Sequence, residues 1–216
     1  MPLDRIDAEH LKTILERINA ALGREKNYLS QLDSHIGDGD HGFGISNGFR
    51  IGYEKVDKSG GSIEDSLKTI GLSLIKEVGG ASGTIFGSLF LGMAKAAKGH
   101  GALGLSELAR TFEEGLALVK QRGKAELGDK TMVDALHPAV ESLKQSAVEG
   151  LPVVEAFQRA AAAAKKGAEE TKNMIGKKGR AKYFKEKSIG FQDAGATTVA
   201  VILAAMADGL QALESP

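Results

Sequence analysis

The chain has 216 residues, 42% of them hydrophobic, and its 28 basic side chains balance 28 acidic ones for a formal net charge of +0. That length suits one domain with an ample core, and the charge balance argues against a nucleic-acid partner, which would call for a basic surplus. The absence of cysteine excludes disulfides, thiolate zinc sites and thiol nucleophiles.

Aromatics at 5% without tryptophan argue against a stacking platform for bases or sugars. The start Met1-Pro2-Leu3-Asp4-Arg5 carries no apolar signal core. No run approaches the ~18 unbroken apolar residues of a membrane span, so a cytoplasmic protein with no membrane partner is expected.

The dominant period is helical. Ile6, Leu11, Ile14, Leu15, Ile18 and Leu22 form one apolar stripe behind a cap at Asp7. Further helices are expected over 43–57, from Ser62 with Leu67, Ile70, Leu74 and Ile75 inward, and over 82–98. Another follows Ser106 with Leu108, Phe112, Leu116 and Val119 inward, and then come 131–147, 153–174 opened by Pro152, and 196–212. No strand alternation stands out. The expectation is an all-α bundle of about eight helices, with residues 1–216 forming a single domain.

Four glycine-bearing connectors carry the chemistry. In the first, Leu32 to Gly42, Asp33, Asp38 and Asp40 fall within one short run. Carboxylates so close repel one another unless a cation lies among them, and hard oxygen ligands of this kind suit Mg²⁺ shared with phosphates. Gly37 to Gly42 matches G-x-G-x-x-G, but the run follows a helix and holds two carboxylates, so it is no dinucleotide loop. A calcium loop started at Asp38 would need Gly at 43 and Glu at 49, and both are Phe. A plain Asp-Gly turn is the competing explanation.

Gly79-Gly80-Ala81-Ser82-Gly83 comes next. Small residues at a helix start let an anion reach free amides, although close helix packing explains the same pattern. The third connector, Arg122 to Met132, reads either as a helix cap or as a pocket wall with Met132 against a flat ring. The fourth, Gly176 to Gly195, is basic and long, and Arg180 could reach a phosphate from it; a solvated loop is the alternative. His10, His35, His41, His100 and His137 are too scattered for a zinc cluster, and only His41 adjoins the carboxylates.

In this order the connectors resemble the nucleotide-binding L subunit of bacterial dihydroxyacetone kinases and the homologous carboxy-terminal domain of the ATP-dependent single-chain form. The likeness rests on Ile36 to Gly42, Gly79 to Gly83, Arg122-Gly123-Lys124-Ala125, Gly128 to Met132, Gly179-Arg180-Ala181 and Ser188-Ile189-Gly190. It implies a closed barrel of eight antiparallel helices, with ADP or ATP and two Mg²⁺ ions at one end. By the same resemblance Asp33, Asp38 and Asp40 are the metal ligands.

The resemblance further implies that His41, Gly42, Phe43, Gly44, Ala81 and Ser82 lie against the phosphates. Gly123 and Met132 would line the nucleotide pocket, and Asp193, Ala194 and Gly195 would close it. Arg180 and His41 would act on the transferring phosphoryl group. The implied partners are a subunit that holds dihydroxyacetone and a phosphohistidine carrier of the phosphotransferase system. An ATP-driven split kinase for dihydroxyacetone or a related ketose such as erythrulose and a non-catalytic metal-binding helical module are the rival expectations. The chain departs from the family pattern at Gly44-Ile45, where relatives commonly have Asn-Met, and at Ala194, where they tend to have Pro.

Overall fold

The computed structural model describes residues 3–59 and 61–214. The Met1-Pro2 start and the outer limits of the expected 1–216 domain lie outside the described residues. Helix α1 spans Ala8–Ile36, α2 His41–Ser59, α3 Ile63–Val78 and α4 Gly80–Ala97. Then come α5 Leu105–Gly123, α6 Val133–Glu149, α7 Val153–Glu170 and α8 Ala194–Glu214. Each helix packs on the next, and α8 packs on both α7 and α1, so the eight close into a ring.

Consecutive helices run antiparallel, joined by short connectors except for the long one between α7 and α8. The α1–α2, α3–α4, α5–α6 and α7–α8 connectors therefore all emerge at one end. These are the four glycine-bearing stretches singled out in the sequence. The opposite end holds the start of α1 and the α4–α5 connector. There the pair β1 (Ile6–Asp7) and β2 (Ala102–Leu103), which sequence alternation did not reveal, adds one small antiparallel ladder.

Local chemistry sets the helix starts. Asp7 accepts from the His10 amide and opens α1, and Ser62 and Asp65 cap α3 reciprocally. Helix α5 starts after Gly104 rather than after Ser106, because the Glu107 carboxylate accepts from the Gly104 amide. The α1 stripe runs on past Leu22 through Leu29 to Ile36, so Asp33 sits on the last turn of a helix rather than in a loop. Helix α7 ends at Glu170, and residues 171–173 tighten into a 3₁₀ turn.

The interior is apolar. Leu15, Ile18, Leu22, Phe49, Ile70, Leu136 and Phe157 are almost wholly buried. Ile75, expected inward, is instead half-exposed at the edge of α3. Two small voids of about 20 Å³ inside the ring are lined by apolar residues such as Leu11, Leu67, Met93 and Phe112. Helix α8 is long and apolar enough to cross a membrane by length and composition, but 61% of its most apolar stretch is buried in the ring. Its apolarity is that of a core helix in a bundle, and the structure shows a helical bundle rather than the barrel that the resemblance implied.

Candidate functional site

The end that gathers the four connectors brings the three aspartates together. One carboxylate oxygen from each of Asp33, Asp38 and Asp40 lies within 4.8 Å of the other two. Asp33 comes from the last turn of α1, and Asp38 and Asp40 from the bend before α2. The reversal depends on Gly39, whose φ of +79° is a backbone state that side chains resist. The Gly39 amide donates to Asp33 Oδ2 at 2.8 Å, locking the bend onto the helix end.

Burial, with the Asp38 and Asp33 charges, pushes the Asp40 carboxyl above the usual range, while Arg180 opposes the shift. Arg180 reaches across from the α7–α8 connector and forms an ion pair with Asp38. Three converging hard oxygen donors whose mutual repulsion raises a pKa are a fitting donor set for Mg²⁺.

His41 opens α2 directly beside the carboxylates, yet it is only 5% exposed. Its Nε2 lies 2.8 Å from Thr198 Oγ1, and its Nδ1 lies 3.3 Å from Ser82 Oγ. Thr198 Oγ1 already donates its proton to the Ala194 carbonyl, so it accepts from Nε2–H. Nδ1 is then the acceptor for Ser82. Burial pulls the His41 pKa down to about 4, consistent with this neutral form. His41 therefore ties α2 to α4 and α8 and orients Ser82.

The amides after His41 are already engaged. Ser30 on α1 accepts from the amides of Gly42 and Phe43, at 3.1 and 3.3 Å, and so caps α2 from outside. The Gly44 amide bonds the Asp40 carbonyl at 2.9 Å. Gly42 is buried, and a Cβ there would lie 2.0 Å from the Lys26 carbonyl, so it is needed for the close α1–α2 approach. Phe43 is exposed, and Gly44 faces Val78 of α3.

The α3–α4 connector is the contrasting case. Gly79 and Gly80 have φ of +69° and +59°, open space where side chains would project, and no side chain capping α4. Ala81 is exposed at this uncapped start, with Ser82 partly so. Such a terminus offers amides and a favourable dipole to an anion.

Gly123, at the end of α5, packs against Ile85 of α4, and Gly195 against Met132 of the α5–α6 connector. Met132 is buried. Asp193 caps α8 by accepting from the Ala196 amide at 2.7 Å, and Ala194 is the first helical residue. Burial, reinforced by the charge of Asp134, pushes the Asp193 carboxyl up to about 7 against the pull of the Ala196 amide and Lys130.

Several residues to which the sequence assigns no individual role organise this end. Ser30 and Thr198 serve α2 and His41. His35 stacks on Phe191, ring centroids 4.8 Å apart, joining the first and fourth connectors. Thr171 accepts from the Asp193 amide, and Ser188 accepts from the Gly176 amide. Lys130 bonds the fourth connector through its ammonium. A lone hydroxyl on an apolar helix face is the one local signal available for Ser30, Thr171 and Thr198; Lys130 is marked only as part of the Gly128 to Met132 run.

The DAK2 domain matches residues 35–208. The chain belongs to the DAK2 domain family. It is 43% identical over 197 residues to the ADP-binding subunit DhaL of the PEP-dependent dihydroxyacetone kinase of Escherichia coli, covering 89% of this chain and 92% of that one. A Listeria innocua ADP-binding subunit of the same kind is 37% identical, covering 95% and 96% of the two chains. Among solved structures, the dihydroxyacetone kinase of C. freundii in complex with AMP-PNP and Mg²⁺ superposes with a TM-score of 0.73 at 27% identity. The match covers 96% of this chain, which spans 34% of that longer kinase.

Proposed function

We propose that this chain is the nucleotide-carrying subunit of a dihydroxyacetone kinase driven by a phosphohistidine carrier. It accepts a phosphoryl group on Mg-bound ADP and passes it to dihydroxyacetone held by a partner subunit. The observation that carries the reading is the convergence of Asp33, Asp38 and Asp40 beside Arg180, in a chain that matches ADP-binding subunits over nearly their whole length. A cytoplasmic site of action belongs to the same reading, since ADP and a phosphohistidine carrier are cytoplasmic reactants.

Phosphoryl transfer asks mainly for positioning and charge neutralisation. Asp33, Asp38 and Asp40 would hold Mg²⁺, and we assign two ions to them because two offset more of the charge of three carboxylates and a diphosphate than one does. The metal supplies Lewis-acid neutralisation of the phosphates when bound. Arg180 pairs with Asp38, and its well-exposed guanidinium could also reach phosphates held beside the carboxylates.

The open start of α4 at Ala81 and Ser82 is the best-suited anion cradle. Ser82, oriented by neutral His41, presents its oxygen toward this end. Gly42 to Gly44, whose amides are engaged, would contribute close approach rather than amide donation. Gly123 and Met132 would wall the base, with Asp193 to Gly195 along the rim.

A second reading has specific support: an L-erythrulose kinase from Pectobacterium atrosepticum is 33% identical over 182 residues, although the chain covers only 31% of it. Comparing donors separates the two. With a dihydroxyacetone-binding subunit added, transfer from a phosphohistidine carrier but not from ATP is expected. Transfer from ATP alone, or to erythrulose alone, would overturn the first reading. Absence of any Mg-ADP binding would overturn both.

A further inference from the structure

The α7–α8 connector carries Arg180 and ends at Asp193, yet it contains no regular helix longer than a 3₁₀ turn to hold it in place. Its two feet meet at one side chain. Lys130, in the α5–α6 connector, is 1% exposed. Its Nζ donates to the carbonyls of Thr171 at 2.6 Å, Met174 at 3.2 Å and Phe191 at 2.6 Å. A lysine ammonium has three protons, and three acceptors use them all.

Thr171 and Met174 stand where the connector leaves α7, and Phe191 stands just before it enters α8. From these two feet the connector extends to Arg180, and Phe191 itself stacks on His35 beside the carboxylates.

Two further features mark Lys130 as a clasp rather than a stray buried cation. Its φ of +62° lies in the left-handed region, a strained state for a lysine that persists only where the surroundings over-determine it. The neighbouring backbone zips the same two connectors together: the Lys177 amide donates to the Asp129 carbonyl at 3.1 Å, and Lys177 Nζ donates to the Gly128 carbonyl at 3.0 Å. Burial lowers the Lys130 pKa while Asp193 and Asp134 hold it up. No proton of Lys130 is left for a ligand.

We propose that Lys130 is a positioning residue that clasps both feet of the 174–191 connector and thereby sets Arg180 over the nucleotide end. The inference rests on the functional reading given above for Arg180.

The test is a double-mutant cycle of K130M and R180A, scored by Mg-ADP affinity, with hydrogen exchange on each folded protein. K130M is expected to speed amide exchange across 175–190 selectively and to weaken Mg-ADP binding about tenfold or more. R180A should then cost much less in the K130M background than in the parent chain. A lysine that serves stability alone would lower the melting temperature but leave the R180A increment intact, and that additive result would overturn the positioning role.

Unchanged exchange across 175–190 in K130M would overturn the clasp whatever the nucleotide does. Failure of the parent chain to bind Mg-ADP would overturn the functional reading instead, and the exchange pattern would still decide the clasp. K130Q, with a donor amide on a similar stem, carries the same comparison if K130M does not fold.

Discussion

Asp38 is where the site's electrostatics concentrate, since it touches the other two carboxylates' field and the Arg180 guanidinium at once. Asp38→Ala removes one metal ligand while leaving a solvent-facing bend between two intact helices. We expect it to abolish Mg-nucleotide binding and phosphoryl transfer with helicity unchanged; circular dichroism and calorimetry with Mg-ADP check this, and normal transfer would sink the metal assignment. Asp193 differs because its charge is costly. Its folded pKa of about 7 stands above the ordinary carboxylate value of 3.8, so the folded chain binds the proton more tightly than the unfolded one. Its contribution to stability is therefore fully present below about pH 4 and is lost as pH rises to about 7. Asp193→Asn keeps an acceptor for the Ala196 amide but cannot ionise. The melting temperature of the parent chain minus that of the variant should fall between pH 4 and 7 and level off above; a flat difference would refute the shift.

At the scale of the element, helix ends decide what each connector can do. The start of α2 is closed by Ser30 and pressed onto α1, whereas the start of α4 is open. Gly42→Ala would put a methyl against the Lys26 carbonyl and the Ser30 amide, both backbone atoms that cannot rotate away. A loss of about 1–3 kcal/mol is expected, read by denaturant unfolding. The start of α8 offers the opposite change. Ala194 is the first helical residue after the Asp193 cap, a position that accepts proline's fixed φ and missing donor. Ala194→Pro should stabilise the chain by about 0.4–1 kcal/mol through the unfolded state, and a lowered melting temperature would show that the Ala194 amide matters.

For the whole molecule, an even-numbered antiparallel ring sends alternate connectors to opposite ends. That parity collects carboxylates, open helix start and basic connector at one end and leaves the interior to packing. A ligand held at that end stabilises the native state by mass action, about 2.7 kcal/mol at a hundredfold excess over Kd. Mg-ADP should therefore raise the melting temperature, and chelation of the metal should cancel the rise. No shift at any Mg-ADP concentration would favour a structural role for the acidic bend.

The amino-acid sequence by itself determined the helices, because apolar residues at helical spacing and caps such as Asp7 and Ser62 are local facts. It also marked Asp33, Asp38, Asp40, Gly79 to Ser82 and Arg180 as polar, glycine-rich breaks, since a break in periodicity is as local as the periodicity. Only the tertiary structure decided what each break faces. Ser30 closing α2, His41 buried between Ser82 and Thr198, and Lys130 tying Thr171 to Phe191 are contacts between residues 12 to 157 positions apart. Such pairs leave no period and no motif. They exist because the ring closes α8 onto α1, and that closure comes from the summed burial of every helix rather than from any one segment.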